Sequence, residues 1–156
     1  MDVDDLMRLA IEKARAGIAA GQSPFGCAIA IGDRMVAVEH NRVLATTDIT
    51  AHAEVTAIRS ACRETGNIHL AGATVATTCE PCPMCMAALH WARVDTVYYG
   101  ATIADATGGG FNELHIPATE MVRLGGSSVK LVSGTLQSEC AGLFAEWKAG
   151  GKARSY

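Results

Sequence analysis

The chain has 156 residues, 49% of them hydrophobic and 19% charged, which suits a single compact domain with one sizeable core and excludes a disordered chain. With 13 Lys and Arg against 16 Asp and Glu, the formal net charge of −3 argues against a partner gripped by broad phosphate attraction and favours a small, uncharged or weakly basic one. The first residues lack the basic and apolar pattern of a signal peptide and no apolar run reaches the ~18 residues of a membrane span, so a cytoplasmic location is expected, where six cysteines read as metal ligands, nucleophiles or small core residues rather than disulfides.

Taken in chain order, Leu6, Ala10, Ala14 and Ile18 recur at helical spacing and predict an opening amphipathic helix that ends at Gly21. Two short apolar runs, Gly26 to Ile31 and Met35 to Glu39, flank a Gly-Asp-Arg turn and predict a β-hairpin. A helix follows from His52 to Cys62, with Val55, Ile58 and Cys62 on one face, and Gly66 closes it. Ala73 to Thr77 reads as a strand, Cys82 to Arg93 as a helix and Thr96 to Tyr99 as a strand. Gly108, Gly109 and Gly110 mark a loop, after which a short helix at Ala118 to Leu124, a strand at Val129 to Ser133 and a final helix from Leu136 to Lys148 complete the chain. Strands alternating with helices predict an α/β domain, its mostly parallel sheet starting with an antiparallel pair.

Within this pattern, residues 78–85 read T-C-E-P-C-P-M-C. Cys82 and Cys85, one turn apart on a helix that opens after Pro81, can aim two sulfurs at one centre, where the positive end of the helix dipole favours thiolates. That pair alone is ambiguous between zinc, redox chemistry and buried thiols. The stretch 50–54, T-A-H-A-E, adds an imidazole at His52 and a carboxylate at Glu54, again at the start of a helix. One histidine and two cysteines are a three-ligand zinc site with its fourth position open, the pattern of catalytic rather than structural zinc. Zinc there lowers the pKa of a bound water toward ~7, and Glu54 can take its proton and pass it to a ring nitrogen and then to a leaving amine. The backbone N–H groups of Ala53 and Cys82 are candidate donors to the developing charge.

H-x-E followed by P-C-x-x-C is the signature of zinc deaminases, and on it the chain resembles the cytidine deaminase superfamily over nearly its whole length. The resemblance implies a three-layer α/β/α sandwich around a five-stranded mixed sheet, with one Zn2+ per subunit. Within the superfamily the chain is most similar to the small bacterial guanine deaminases, which convert guanine to xanthine and ammonia. The matching pieces are S-P-F-G at 23–26, Asn41, T-A-H-A-E-V-T-A-I-R at 50–59, C-E-P-C-P-M-C at 79–85, Trp91, and the final set Phe144, Trp147 and Tyr156. By that resemblance Asn41 hydrogen-bonds the purine, Phe25, Trp91 and Tyr156 form walls and a lid, and Glu113 binds the ring and helps shuttle protons. It also implies a homodimer whose C-terminal segment, about 135–156, closes over the active site and is exchanged between subunits. Cys27, Cys62, Cys79 and Cys140 fall outside the ligand pattern and are expected to be buried small residues.

The rival within the superfamily is a tRNA adenosine deaminase, which the segment S-G-T-L-Q-S-E-C at 133–140 resembles. Against it, residues 105–114, D-A-T-G-G-G-F-N-E-L, carry no lysine or arginine, and Lys148, Lys152 and Arg154 are the only basic residues at the end of the chain. Cytosine, ammeline or another amino-heterocycle needs the same zinc centre with different pocket contacts. A non-catalytic zinc-binding or redox module would have no use for Glu54 beside His52.

Overall fold

The computed structural model describes residues 1–156. Helix α1, Val3–Ala19, opens on Asp2, whose side chain accepts from the Asp4 N–H, and buries Leu6, Met7, Ala10, Ile11 and Ala14. Strands β1, Gly26–Ile31, and β2, Arg34–His40, form the expected hairpin. A short helix α2, Val43–Thr46, leads to α3, Ala53–Thr65, then β3, Ala73–Cys79, α4, Pro83–Trp91, and β4, Thr96–Ala101. Helices α5, Ile103–Gly108, and α6, Ala118–Gly125, precede β5, Lys130–Ser133, and α7, Gln137–Ala149. No helix is long and apolar enough to cross a membrane.

The five strands form one mixed sheet in the order β2-β1-β3-β4-β5. The sheet is mixed and starts with the expected antiparallel pair, and a second antiparallel pairing adds to it: β1 pairs antiparallel with both β2 and β3, while the β3–β4 and β4–β5 pairs are parallel. Four strands share one direction, and β1 alone opposes them because α3 carries the chain from β2 across to the far side of β1. Strand spacing in sequence cannot reveal that insertion.

Alternation along the strands divides the interior into two layers. Cys27, Ile29, Val75 and Val97 pack under α3, α4 and α6, whereas Ala28, Ala30, Ala76 and Ala101 pack under α1 and α7, giving the three-layer α/β/α sandwich. The buried face of α3 is Ala53, Glu54, Ala57 and Ala61, not the expected Val55, Ile58 and Cys62, which are only partly buried. Alanines let the helix lie close on β1 and β2, and the bulkier residues fill its flanks. Cys27, Cys79 and Cys140 are buried as expected, and Cys62 is half-buried. Helix α5 adds to the predicted elements, and Thr102 and Asp105 form a capping box at its start: each side chain accepts from the other's backbone N–H.

Gly26 sets how closely α1 approaches the sheet. A Cβ there would lie 2.0 Å from the Ala10 carbonyl oxygen, a backbone atom inside a helix. Gly26→Ala is expected to cost about 3 kcal/mol, the upper end for overpacking, because helix backbone cannot turn aside as a side chain can. Urea unfolding of the variant beside the native chain measures it.

Candidate active site

Two helix starts and one strand end meet at the C-terminal edge of β3. His52 is the N-cap of α3, Cys82 is the N-cap of α4, and Pro83 begins that helix where a missing N–H costs nothing. One turn of α4 brings Cys85 beside Cys82. The three ligand atoms lie within 4.8 Å of one another. The His52 Nδ1 is 3.7 Å from the Cys82 Sγ and 3.5 Å from the Cys85 Sγ. Tetrahedral zinc with ordinary Zn–N and Zn–S bonds requires such edges of roughly 3.6 Å.

The charges agree with that fit. A hydrogen bond from Cys85 holds the Cys82 thiol down at about 4, against the opposing effect of burial and with the help of His52. The Cys85 thiol is pushed well above the ordinary range by that bond, by burial and by the charges of Glu54 and Cys82. Two sulfurs sharing one proton beside a carboxylate make a centre that a divalent cation completes, and soft N and S donors select zinc among the common ones.

Glu54, on the first turn of α3, is 6% exposed. Its Oε1 accepts from the Thr77 hydroxyl at 3.0 Å and its Oε2 faces the Cys85 Sγ at 3.5 Å. Burial, then the charge of Cys82, raises its pKa, with His52 opposing. Ala53, fully buried, occupies the first helical position of α3 between His52 and Glu54.

The structure gathers most of the remaining expected residues here. Asn41 is fully buried; its Oδ1 accepts from the Val43 N–H, forming a turn, and its Nδ2 donates to the Tyr156 hydroxyl at 2.6 Å. Tyr156 lies with its ring centroid 5.9 Å from that of His52 and 5.2 Å from that of Phe111, and burial pushes its phenol up to about 12. Phe25 meets Phe111 edge-on at 5.0 Å and Phe144 at 5.7 Å. Glu113 faces the same space, and burial, followed by the charge of Cys82, raises its carboxyl to about 7.

Trp91 is a correction. It is 78% exposed at the last residue of α4, where eight residues of helical rise carry it roughly 12 Å from the start of the helix, and it lines a separate groove with His69 and Arg93. Within this chain it does not reach the pocket wall that the resemblance assigns to it. Phe111, Thr77 and Glu80, unremarked in the sequence, stand at the site instead. Phe111 followed the glycine run and was the legible one of the three.

An inner pocket of about 30 Å³ touches Asn41, His52, Glu54, Cys82, Glu113 and Tyr156. It adjoins an outer one of about 340 Å³ whose rim includes Ile49, Met84 and Leu114. Neither lining contains a lysine or arginine.

Residues 1–101 match the family described as the cytidine and deoxycytidylate deaminase zinc-binding region. The chain is 41% identical over 117 residues to the guanine deaminase of Bacillus subtilis, spanning 74% of this chain and 75% of that one. It is 35% identical over 144 residues to the tRNA-specific adenosine deaminase of the same bacterium, spanning 92% and 87%. The solved structure of guanine deaminase from Nitrosomonas europaea resembles it with a TM-score of 0.86 at 28% identity, covering 94% of this chain and 84% of that one.

Proposed function

The chain belongs to the cytidine and deoxycytidylate deaminase zinc-binding family and carries its zinc at the His52, Cys82 and Cys85 centre, and from that premise we propose that it deaminates guanine to xanthine and ammonia. The family supports hydrolysis of a C–N bond. The choice of a free purine base rests on one observation: Tyr156 lines the pocket, bonded to Asn41, and the lining beneath and around it offers no cation to a phosphate chain.

When bound, zinc supplies a Lewis acid that makes a water molecule nucleophilic near neutral pH. Glu54 takes the proton that the attacking water gives up, delivers it to the ring nitrogen beside the amino-bearing carbon, and moves the second proton to the departing amine. The carbon thereby exchanges its bond to nitrogen for one to oxygen, and ammonia leaves. Asn41, with a second N–H on Nδ2, hydrogen-bonds the purine edge, while Phe25 and Tyr156 form its walls. Glu113, its carboxyl held near neutrality by burial, binds the ring and relays protons. The Ala53 and Cys82 N–H groups, at the starts of α3 and α4, donate to the charge that develops. The segment from about 135 onward serves two purposes in this reading: α7 is core, and the residues after it are the lid.

Thr77 holds Glu54 in place for this work. Thr77→Val keeps the strand's β-branched shape and removes the hydroxyl bonded to Oε1, so a fall of about tenfold in kcat is expected, with zinc retained.

The test of substrate is ammonia release from guanine, cytosine, cytidine, adenine, guanosine, ammeline and an anticodon stem-loop RNA. Guanine is expected far ahead of the rest. A second reading, action on the tRNA wobble base, is favoured by the likeness to the Bacillus subtilis tRNA deaminase over 92% of this chain; turnover of the stem-loop alone would establish it and dismiss guanine.

A further inference from the structure

Glu80 lies two residues before Cys82 and has no part in the metal set. Its backbone N–H donates to the Ala101 carbonyl at 2.8 Å, which extends the β3–β4 pairing by one residue and fixes its position. Its half-buried carboxylate reaches two separate main-chain groups. Oε2 accepts from the Ile103 N–H and Oε1 from the Ala118 N–H, both at 3.0 Å. Ile103 opens α5 and Ala118 opens α6, so one side chain ties together the two ends of the segment that carries Phe111, Asn112 and Glu113.

The same segment holds the lid. The Asn112 N–H donates to the main-chain oxygen of Tyr156 at 2.9 Å. Gly110, with φ +99°, passes so close to Ser155 that a Cβ there would lie 3.3 Å from its hydroxyl oxygen. Glu80, the 103–118 segment and Tyr156 therefore form a chain of contacts that begins beside a zinc ligand and ends above the pocket.

We propose that Glu80 is a positioning residue: its carboxylate, by accepting from Ile103 and Ala118, anchors both ends of the 103–118 segment to the turn that presents Cys82, and so sets Glu113 and, through Asn112, Tyr156 around the substrate. Its effect on turnover rests on the reading of Glu113 as a substrate-side group; the anchoring does not. A carboxylate suits the role because it has two equivalent acceptors and no donor, whereas a glutamine satisfies one N–H and turns its own N–H2 toward the other.

The test uses the zinc-loaded full chain and Glu80→Gln. Amide hydrogen exchange in residues 103–118 and 155–156 is expected to quicken by about tenfold or more while the β1–β3 core and the zinc content stay as they are. With guanine as substrate, kcat/KM is expected to fall by about tenfold, and by about threefold less when Glu113 is already glutamine, since part of the loss acts through that group and the rest through Tyr156. Exchange at 103–118 equal to that of the native chain overturns the anchoring. The same loss of kcat/KM in both backgrounds overturns the action through Glu113. If Glu113→Gln alone leaves kcat/KM intact while exchange still quickens, the anchor stands and the reading of Glu113 falls. Should Glu80→Gln fold poorly, Glu80→Asp keeps two acceptors but withdraws them by one methylene; faster exchange confined to the same segments supports the anchor, and native exchange rejects it.

Discussion

Glu54→Gln is expected to keep a full complement of zinc and to lose turnover by about a thousandfold. General acid–base groups contribute roughly 10²–10⁴-fold, and in the proposed reaction Glu54 carries both protons. The substitution preserves shape, and the amide oxygen can still accept from the Thr77 hydroxyl that now holds the carboxylate. At 6% exposure the side chain is shielded from bulk solvent, so no dissolved buffer base readily takes over its role. Metal analysis beside a turnover assay separates the two roles open to it. Loss of zinc makes Glu54 a structural support of the centre, and turnover within a few-fold of native removes it from the chemistry.

The second large effect is expected at the lid. Truncation after Ser155 should lower kcat/KM by about a hundredfold, the scale on which small misplacements in a closed site act. Stability should fall by only about 1–2 kcal/mol, the burial of one partly covered aromatic side chain. Tyr156 packs against the α1–α7 layer from outside, and its bonds run to Asn41 and Asn112, both beside the pocket. Turnover and a denaturation midpoint on the same preparation decide between lid and scaffold: a variant that unfolds, or one that turns over normally, contradicts the lid.

What was legible in the sequence was local. Cys82 and Cys85 sit one helical turn apart, so spacing alone brings them to a common point, while His52 and Glu54 share the start of another helix. The triad becomes a single centre because β3 joins the two helices, which an alternating α/β pattern already implied. Contacts across long stretches were beyond such reasoning. The bond from Asn41 to Tyr156 links residues 115 apart in sequence, and the resemblance to a known family, not the residue pattern, pointed to both. Nothing in the neighbourhood of Glu80 announces that its two oxygens meet backbone groups of two later helices. The position of β1 between β2 and β3 is likewise a property of the whole sheet. Trp91, placed in the pocket wall by the resemblance alone, stands 78% exposed at the far end of α4, and residue pattern had nothing to say on its place. At α5 the signal was present: Thr102 and Asp105 have capping-box spacing, and the glycines that follow drew attention to a loop.

In the proposed reaction a zinc centre built from His52, Cys82 and Cys85 hydrolyses the amino group of guanine in the pocket that Tyr156 lines. The most direct measurement follows guanine, xanthine and ammonia together with the zinc-loaded protein, then after chelation, then after zinc is returned. The expected result is one xanthine and one ammonia for each guanine consumed, lost with the metal and regained with it. Guanine left unchanged by fully zinc-loaded protein, with inosine appearing in an anticodon stem-loop, contradicts the assignment of substrate; guanine consumed at the same rate after complete metal removal contradicts the assignment of the centre.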